Sequence, residues 1–347
     1  MDIAVFLGGT SAERDVSLAS GFRIIDALRA SGHAVTAVDP ATGVLSAAGE
    51  AALRAAGVQR EPPSLEALKQ LASGGDESGG IIGGLTSLPE VRDADVVFLA
   101  LHGGRGEDGT IQAVLDLAGI PYTGSGHLGS ALAMDKDLSK TLFRAAGVAT
   151  ADWLMAPVTA DQVEQTLKFP VVVKPSKQGS TVGLTVVRDR SALAPAIAEA
   201  ALYDDEVMIE RFVPGRELTV GVLGDRALPV GEIFPKHEIY DYECKYTAGM
   251  AHEEFPAKLP AEVTARLQRQ ALSAFQALKL RGYARIDFRL TADGASYCLE
   301  ANTLPGMTEL SLIPQGAAAD GMSFAGLCER IVALALAGSA RAGAKRG

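Results

Sequence analysis

The sequence predicts a parallel α/β domain, followed by a smaller α+β unit and then a unit built on antiparallel strands. Short apolar runs alternate with helical patterns in the first part of the chain, which is typical of a parallel sheet. From about Pro214 the strand-like runs become longer and alternate in polarity, as antiparallel strands do. With 347 residues, the chain has room for two or three domains.

The first part of the chain contains three predicted strands, over residues 2–8, 33–39 and 95–103. A Gly-Gly turn follows the first strand, and a helix then continues to about Ala30. The third strand runs into a Gly-rich loop, and the pattern TIQAVLDLAG predicts the next helix. Residues 41–90 are rich in Ala, Gly and Ser, and we interpret them as a variable insertion to which no function is assigned.

The second group of elements begins with a predicted helix over residues 134–148. A strand over residues 169–175 ends in Lys174 and leads into the loop KQGSTVG, after which strand, helix and strand patterns follow. Beyond Pro214, the runs ELTVGVL and ALPVGEIF precede a helix over residues 261–280 and then a hairpin.

The composition argues against several kinds of partner. The formal net charge is −10, and no basic run stands out except the short tail RAGAKRG, so we expect neither a nucleic-acid nor an anionic-membrane partner. Three cysteines without metal-type spacing suit a reducing compartment. The first residues lack the features of a signal peptide, and no apolar run is long enough to span a bilayer. We therefore expect a cytoplasmic protein.

The stretch ARIDFRLTADGASYCLEAN, residues 284–302, predicts a β-hairpin with a charged face. Two alternating runs flank Asp293-Gly294, which is a strong signal for a tight hairpin turn. If those two residues form the whole loop, the cross-strand pairs on the charged face are Asp287 with Glu300 and Arg285 with Asn302. Alternation also predicts that one face of the second strand carries Cys298, Glu300 and Asn302.

Two carboxylates directly opposite each other repel, so Asp287 and Glu300 need a shared proton or a cation between them. Asn302 adds an amide oxygen to the same face, and this set of oxygen atoms suits a hard cation such as Mg²⁺. The alternative is a solvated polar face on which Arg285 and Arg289 form ion pairs with the acids. The hairpin alone leaves both interpretations open.

The first glycine turn, LGGTSAERDVSLASG, looks at first like a dinucleotide-binding turn. It lacks the second and third glycines of the GxGxxG pattern, which argues against a nicotinamide site. The acid that follows the turn is Glu13, at the start of the predicted helix. Its carboxylate could hold a substrate ammonium group, or it could only interact favourably with the helix dipole.

Two further patterns suggest a nucleotide site, and a third suggests a lid. Lys174 precedes a loop of small residues, which suits phosphate oxygens, although the chain has no P-loop and many Gly-Ser loops are only loops. In IERFVPGRELTV, Glu210, Phe212 and Glu217 would suit adenine and ribose, the alternative being a core strand and a turn. The tyrosine-rich segment 237–249 predicts either a lid or an ordinary surface loop.

The order of these patterns along the chain is more specific than any one of them. Together they resemble the D-alanine–D-alanine ligases of the ATP-grasp superfamily, through the motifs GGTSAERDVS, HGGRGEDG, PYTGSG, MDK, VVVKPSKQGSTVG, YDYECKY, GYARIDF and LEANTLPGMTELSL. The resemblance runs from the first strand to about residue 326. It leaves only residues 41–90 and the C-terminal tail uncovered.

The resemblance implies a three-domain ATP-grasp fold, with a parallel α/β domain at 1–130 and ATP-grasp units at 131–213 and 214–347. ATP would lie between the last two units. The implied reaction begins when ATP phosphorylates the carboxylate of one D-alanine. The amine of a second D-alanine then attacks this acyl phosphate, which gives the dipeptide, ADP and phosphate. The family also suggests a homodimer and a role in making peptidoglycan precursors.

The same resemblance implies roles for residues in and near the hairpin. Asp287, Glu300 and Asn302 match metal ligands that would hold two Mg²⁺ ions, with Mn²⁺ as a possible substitute, against the ATP phosphates. Arg285 matches a cation that stabilises a tetrahedral oxyanion. Gly306 matches a backbone donor to the same oxyanion.

Other positions match the substrate contacts of the family. Glu13 matches the acid that holds the ammonium group of the first D-alanine, and Ser180 and Tyr246 match its partners in a hydrogen-bonded triad that closes the lid. His102 matches a position near the first substrate. The matching contacts to the second D-alanine are Ser311 and Leu312. The matching ATP contacts are Lys136, Lys174, Glu210, Phe212, Val213, Glu217 and Lys245.

The chain departs from the family pattern at two places. Phe212 stands where relatives often have tryptophan, and Glu-Leu stands between Thr308 and Ser311 where some relatives have Ser-His. A ligase that uses D-lactate or D-serine as second substrate is therefore an alternative, although Tyr246 favours an amine nucleophile. A nucleotide-binding protein without turnover is another alternative, but it would have no need for an oxyanion cation at Arg285.

Overall fold

The computed structural model describes residues 1–57, 66, 84–240, 242–247 and 249–344. Within these ranges the strands form three sheets, which follow one another along the chain. The expected succession of a parallel α/β unit, a smaller α+β unit and an antiparallel unit is confirmed. The boundaries at 1–130, 131–213 and 214–347 stay predictions, and part of the predicted insertion at 41–90 lies outside the described residues.

The N-terminal sheet has the strand order β3-β2-β1-β4. Its strands are β1 (Asp2–Phe6), β2 (Ala34–Asp39), β3 (Gly43–Val44) and β4 (Val96–Leu99). The helices of this part are α1 (Arg14–Ala30), α2 (Ala47–Ala56), α3 (Pro89–Arg92), α4 (Gly104–Glu107) and α5 (Thr110–Ala118). The central strand β1 pairs in parallel with β2 and β4. All of its residues after Asp2 are buried, which explains why this strand reads as a continuous apolar run.

A buried ion pair fixes the start of α1 at the carboxyl ends of these strands. Arg14 Nη2 lies 2.6 Å from Asp39 Oδ2, and the other carboxylate oxygen of Asp39 accepts the N–H of Gly9 at 2.9 Å. Gly8 has a φ of +84°, and a Cβ on it would lie 2.8 Å from both Arg14 and Asp39. In a dinucleotide-binding fold, an acid that follows the second strand binds the ribose. Asp39 is instead engaged with Arg14 and Gly9, which also argues against a nicotinamide site.

The second sheet has the order β5-β8-β6-β7, with antiparallel neighbours throughout. Its strands are β5 (Trp153–Met155), β6 (Val171–Pro175), β7 (Thr185–Val187) and β8 (Val207–Arg211). The helices of this part are α6 (His127–Met134), α7 (Lys136–Ala145), α8 (Ala160–Thr166) and α9 (Leu193–Ala200). The predicted helix over 134–148 corresponds to α7, which begins at Lys136, and α6 ends where the predicted range begins. The two helices are separated by Asp135. This residue begins α7 by accepting the N–H of Leu138, as an N-cap aspartate does.

The third sheet has the order β11-β10-β9-β12-β13 and is antiparallel. Its strands are β9 (Arg216–Leu223), β10 (Arg226–Pro235), β11 (Ala251–Glu254), β12 (Tyr283–Leu290) and β13 (Ser296–Asn302). The helices here are α10 (Tyr242–Tyr246), α11 (Ala261–Ala277), α12 (Leu312–Ala319) and α13 (Phe324–Ala344). The predicted helix over 261–280 corresponds to α11. Phe143 of α7 packs in the same core cluster as Phe275 of α11 and Phe288 of β12.

The β12–β13 hairpin has the predicted pairs but reaches them by a different route. Asp287 pairs with Glu300 and Arg285 pairs with Asn302, as predicted. The two-residue loop is wrong, because Leu290 pairs with Ser296 and five residues connect them. A bulge then shifts the register between Asp287 and Phe288, so that Leu299 is an extra residue on β13.

The bulge places Cys298 on the face of the sheet opposite to the predicted one. This cysteine pairs with Phe288 and is fully buried in the core beneath the sheet, so it does not share the face of Glu300. Leu299 takes the place that alternation gave to Cys298, and it lines a cleft together with Glu300. Two consecutive side chains of β13 therefore face the cleft.

The two ends of the chain share one hydrophobic core. Leu28 and Phe22 of α1 belong to the same buried cluster as Ile313 of α12 and Ile331 of α13.

Within the described ranges, no single helix is long and apolar enough to cross a membrane. The helix pair Leu312–Ala319 and Phe324–Gly338 meets the length and composition criteria only when combined, and it is bent by 103°.

Candidate active site

Two adjoining cavities lie where the three sheets meet. The first has about 950 Å³ of empty space, counting the part open to solvent, and the second has about 590 Å³. Both are lined by Lys136, Ser180, Lys245 and Glu300, so the two lie side by side in one cleft.

The first cavity brings together all the positions that were predicted to contact ATP. Its lining includes Lys136, Lys174, Glu210, Phe212, Val213, Glu217 and Lys245. Asp287 of the predicted metal set also lines it. The second cavity collects the positions predicted for catalysis and for the first substrate. Its lining includes Glu13, His102, Ser180, Arg285 and Gly306.

The wall of the first cavity contains a buried carboxylate between two lysines. Glu210 Oε2 accepts a hydrogen bond from Lys174 Nζ at 2.5 Å, and Oε1 accepts one from Lys140 Nζ. Burial alone would raise the pKa of Glu210, but the two ammonium groups outweigh it and lower the pKa to about 2. Glu210 is therefore ionised and fixed in orientation, with lone pairs left to accept a further hydrogen bond from a ligand.

The lining of the first cavity includes a second, half-buried acid, Glu217. Glu217 lies 3.0 Å from Arg289 Nη2, and burial is the main cause that raises the pKa of its carboxyl group. Phe212 and Leu299 provide apolar surface between the two acids. Apolar walls with a few acceptors are the features expected of a site for a base and a sugar.

The predicted metal ligands lie on one face of the β12–β13 hairpin. Asn302 Nδ2 donates to Asp287 Oδ2 at 3.0 Å, and Asp287 also accepts hydrogen bonds from Thr219 Oγ1 at 2.7 Å and Arg285 Nη2 at 2.9 Å. The ion pair that was considered as an alternative is thus formed between Arg285 and Asp287. Arg289 pairs with Glu217 and not with the metal set. The assignment of metal ligands stays a prediction.

The donor set is suited to a hard divalent cation. Burial alone would raise the pKa of Glu300, but Lys136, Lys245 and Lys174 outweigh it and lower the pKa to about 2, so this carboxylate is charged at neutral pH. No three His, Cys, Asp or Glu side chains converge as a metal site among the described residues. The predicted set has two carboxylates, and its third oxygen would come from the amide of Asn302.

Arg285 lines the second cavity and contacts Asp287 of the hairpin. Burial acts to lower the pKa of its guanidinium group, but Asp287 and Glu300 outweigh this and raise it. The side chain is thus held as a cation by Nε and Nη2 contacts to Asp287. A cation fixed in this way can stabilise negative charge that develops in the cavity.

Glu13 is placed in the second cavity by two glycine loops. A Cβ on Gly103 or on Gly179 would lie 2.9 Å from Glu13 Oε2, so each glycine leaves room for the carboxylate. Ser180 donates a hydrogen bond from Oγ to Glu13 Oε1. Glu13 is the N-cap residue of α1, and its side chain makes no capping hydrogen bond to that helix. A favourable interaction with the helix dipole stays the second interpretation.

The segment predicted as a lid is docked over the cleft. Tyr240, Tyr242 and Cys244 are buried, which is not the pattern of an ordinary surface loop. Thr181 Oγ1 donates to the Tyr240 carbonyl at 3.2 Å, which joins this segment to the glycine loop that carries Ser180. Tyr246 ends α10, and its side chain lies outside the part of the chain that the structure describes.

The side chains of His102 and of the residues predicted to contact the second D-alanine are in contact with other groups of the protein. His102 Nδ1 lies 2.7 Å from the Leu304 carbonyl, and its Nε2 lies 3.1 Å from Ser20 Oγ. Ser311 Oγ accepts the N–H of Thr308 at 2.9 Å. Leu312 is buried beside the lid and lines neither cavity. The roles predicted for these residues stay predictions.

Two residues of this cleft were missed by the sequence analysis. Lys140 is completely buried and binds Glu210, and Glu107 accepts the N–H groups of Gly103, Thr303 and Leu304. The pKa of Glu107 is raised, mainly by burial and next by the charge of Glu13. Glu107 could have been found because it ends the motif HGGRGE. Lys140 could have been found as the second lysine on one face of the MDKDLSK helix.

Two family models match the chain. The model of the D-ala D-ala ligase N-terminus matches residues 2–125, and that of the D-ala D-ala ligase C-terminus matches residues 137–333. The chain belongs to the D-alanine–D-alanine ligase family. The expectation drawn from the sequence motifs is confirmed, because the match extends well beyond them.

Relatives in this ligase family are similar over nearly the whole chain. A D-alanine–D-alanine ligase of Geotalea uraniireducens is 43% identical over 336 residues, which cover 96% of this chain and 95% of the relative. A D-alanine–D-alanine ligase of Halalkalibacterium halodurans is 42% identical and covers 97% of this chain and 99% of its own length.

Solved structures of ligases in the family have the same fold. A D-alanine–D-alanine ligase of Bacillus anthracis, complexed with ATP, has a TM-score of 0.74 and 30% identity, and it covers 98% of each chain. The D-alanine–D-alanine ligase of Coxiella burnetii has a TM-score of 0.78 at 26% identity, over 98% of this chain and 95% of the other.

Proposed function

We propose that this protein uses ATP to join two D-alanines into D-alanyl-D-alanine, through a D-alanyl phosphate intermediate. The observation that carries the proposal is that the two cavities adjoin and share Lys136, Ser180, Lys245 and Glu300 in their lining. A nucleotide in the first cavity would place its phosphates against an amino acid held at Glu13 in the second. The similarity to a ligase solved with ATP supports the use of the first cavity for ATP.

ATP binding would use the fixed acids of the first cavity. Glu210 would accept a hydrogen bond from the adenine amino group, because Lys140 and Lys174 hold its carboxylate in one orientation. Phe212 would provide the flat apolar wall, and Glu217 would accept from the ribose hydroxyls. Lys136 is buried with its Nζ 3.5 Å from Glu300, which puts a cation at the end of the cavity that opens toward Glu13.

The first chemical step would attach the terminal phosphoryl group of ATP to the carboxylate of the first D-alanine. Glu13, held by Ser180, would bind the ammonium group of that D-alanine and so direct its carboxylate toward the phosphates. Asp287, Glu300 and Asn302 would hold two Mg²⁺ ions, or Mn²⁺ in their place. The metal supplies positive charge that neutralises the phosphate oxygens.

The second step would join the amine of the second D-alanine to the acyl carbon and release phosphate. Arg285 and the N–H of Gly306 would stabilise the tetrahedral oxyanion, because both face the second cavity. Ser311 and Leu312 are proposed to lie near the second D-alanine. The docked lid, including Tyr246 as a proposed partner of Ser180 and Glu13, would keep water away from the acyl phosphate.

We extend the proposal to the biological setting. The product would serve peptidoglycan precursor synthesis in the cytoplasm, and the protein would act as a homodimer without a nucleic-acid or membrane partner. The net charge of −10 supports the absence of nucleic-acid and anionic-membrane partners.

The substrate assignment is tested by measuring phosphate release and products with ATP, Mg²⁺ and four sets of acceptors. These are D-alanine alone, D-alanine with D-lactate, D-alanine with D-serine, and L-alanine as the control. We expect phosphate and D-alanyl-D-alanine with D-alanine, no mixed product as the main product, and no turnover with L-alanine. A mixed product as the main product would transfer the proposal to a ligase with another second substrate.

A further inference from the structure

One segment of the second cavity is held almost entirely by side chains from the N-terminal part of the chain. Residues 303–308, which we call the cavity loop, connect β13 to the turn before α12. Glu107 accepts the N–H groups of Thr303 and Leu304, and His102 binds the Leu304 carbonyl. Ser20 of α1 accepts the N–H of Met307 at 3.0 Å.

Arg23 makes the next contacts along the cavity loop. Its Nη1 donates to the carbonyl of Met307 at 3.0 Å and to the carbonyl of Thr308 at 2.8 Å. The guanidinium carbon lies 3.7 Å from the centre of the Phe324 ring, at the start of α13. Arg23 lines neither cavity, so any effect on the reaction passes through the loop.

These contacts fix the peptide groups on both sides of Met307. Its N–H is bound to Ser20 and its carbonyl to Arg23, so the backbone that follows Gly306 cannot rotate without breaking a buried hydrogen bond. The N–H of Gly306 has no hydrogen-bond partner in the described part of the chain, and Gly306 lines the second cavity. The loop thus leaves one donor free to face a ligand.

The contacts of Arg23 also lead to the beginning of α12. The Thr308 carbonyl that accepts from Arg23 also accepts the N–H of Ser311 at 3.2 Å. The N–H of Thr308 in turn donates to Ser311 Oγ at 2.9 Å. A change at Arg23 would therefore move Ser311 together with the cavity loop.

We propose that Arg23 is a positioning residue for the second D-alanine. It fixes the cavity loop and Ser311 in the arrangement that receives the attacking amine, and it does not take part in ATP binding or in holding the first D-alanine at Glu13. This inference rests on the proposed function, because it concerns the second substrate of that reaction.

The test uses Arg23→Met, which keeps an apolar stem against Phe324 and removes the donors. Arg23→Lys keeps a positive charge but lacks the planar fork that reaches two carbonyls. The matched control is Arg29→Met on the same helix, because Arg29 pairs with Glu50 away from both cavities. The measurements are the separate KM values for ATP and for the first and second D-alanine, together with the melting temperature.

For Arg23→Met we expect the KM of the second D-alanine to rise about tenfold, since a buried carbonyl loses its donor. The KM values of ATP and of the first D-alanine should change by less than about twofold, as in Arg29→Met. Arg23→Lys should fall between the wild type and Arg23→Met. Hydroxylamine, a small nucleophile that needs no second-substrate pocket, should still trap D-alanyl phosphate in both Arg23 variants, with a clearly smaller loss of rate than that of dipeptide formation.

Two results would overturn the inference. One is an unchanged second KM in a variant that folds, and the other is an equal loss of hydroxamate and dipeptide formation, which would indicate a general structural role. If Arg23→Met does not fold, Arg23→Lys decides by the same measurements. Failure of the proposed function is distinguishable, because the wild type itself would then form no D-alanyl-D-alanine from D-alanine.

Discussion

At the scale of single residues, the ATP end of the cleft depends on charges that are buried and mutually satisfied. Lys140 and Lys174 bind opposite oxygens of Glu210, and Thr150 Oγ1 accepts from Lys140 at 2.6 Å. Removing one partner from a buried set of charges is costly because the remaining charge keeps its desolvation penalty. Lys140, which lines neither cavity, would therefore act on ligand affinity through Glu210.

We expect Lys140→Met to raise the KM for ATP by about tenfold, because Glu210 loses one of the two cations that orient it. The pKa of Glu210, now about 2, should also rise, since burial would be opposed by Lys174 alone. If the pKa of Glu210 is higher in the folded variant, its carboxylate takes up a proton at a higher pH during acidification. On acidification, the ATP affinity of the variant should therefore begin to fall at a higher pH than that of the wild type.

The measurement is the KM for ATP as a function of pH, with Lys258→Met as the control because Lys258 is exposed and remote from the cleft. A pH profile of Lys140→Met that matches the wild type would show that Lys140 does not govern the charge of Glu210.

The hairpin acids give a second prediction at this scale. Asp287→Asn should lower turnover at least about 100-fold, because a neutral amide can neither balance Arg285 nor attract Mg²⁺. The isosteric change should leave the fold intact. Phosphate release over a range of Mg²⁺ concentrations and a thermal melt are the checks, and Asp293→Asn at the exposed hairpin turn is the matched control. Normal Mg²⁺-dependent turnover would remove Asp287 from the metal site.

The sequence predicted most of the site residues because each belongs to a local motif with a recognisable chemistry. All the ATP positions converge on the first cavity, and Glu13 reaches the second. Lys140 and Glu107 were missed because their partners are Glu210 and the backbone of Thr303, far away in sequence. Motif and helix periodicity could have singled out the two residues themselves, but neither reveals which distant groups they contact.

At the scale of elements, the β12–β13 hairpin decides which side chains reach the cleft. The Asp293-Gly294 signal correctly predicted a turn, but the turn occupies residues 291–295 and not two residues. The bulge at Leu299 compensates for the longer loop and restores the pair of Asp287 with Glu300. Alternation cannot predict this, because one inserted residue reverses the face of every residue beyond it.

Deleting Leu299 should convert the bulge into a regular ladder. Glu300 would still lie opposite Asp287, but the cleft would lose the apolar wall that Leu299 provides. Because burying a leucine side chain contributes about 2 kcal/mol, we expect the KM for ATP to rise at least about tenfold.

The KM values for ATP and D-alanine check this prediction. Leu299→Ala keeps the bulge but removes most of the same apolar wall, so it should raise the KM for ATP to a similar extent. The KM of the first D-alanine should stay close to that of the wild type in both variants. A deletion variant with an unchanged KM for ATP would show that the bulge does not shape the nucleotide cavity.

At the scale of the whole molecule, the C-terminal helices belong structurally to the N-terminal part. Ile331 of α13 is fully buried in the cluster that contains Leu28 of α1. This packing places Arg23 of α1 beside Phe324 and the cavity loop. The sequence predicted the units but not their packing, since apolar faces carry no record of their partners.

Ile331→Ala should lower the free energy of unfolding by about 2–5 kcal/mol, because it leaves a cavity in a core shared by both ends of the chain. Denaturant unfolding followed by circular dichroism measures this loss. The control is Leu117→Ala, which removes a leucine side chain of the same kind from an exposed position. Equal unfolding free energies for Ile331→Ala and Leu117→Ala would contradict the shared core.

The central claim is that the two cavities form one site, in which ATP activates the carboxylate of an amino acid held at Glu13. The most direct measurement uses D-alanine labelled with ¹⁸O in its carboxylate and follows the label during dipeptide formation. The account predicts that one labelled oxygen appears in the released phosphate for each dipeptide formed, because it passes through an acyl phosphate. Dipeptide formation with unlabelled phosphate would contradict the account.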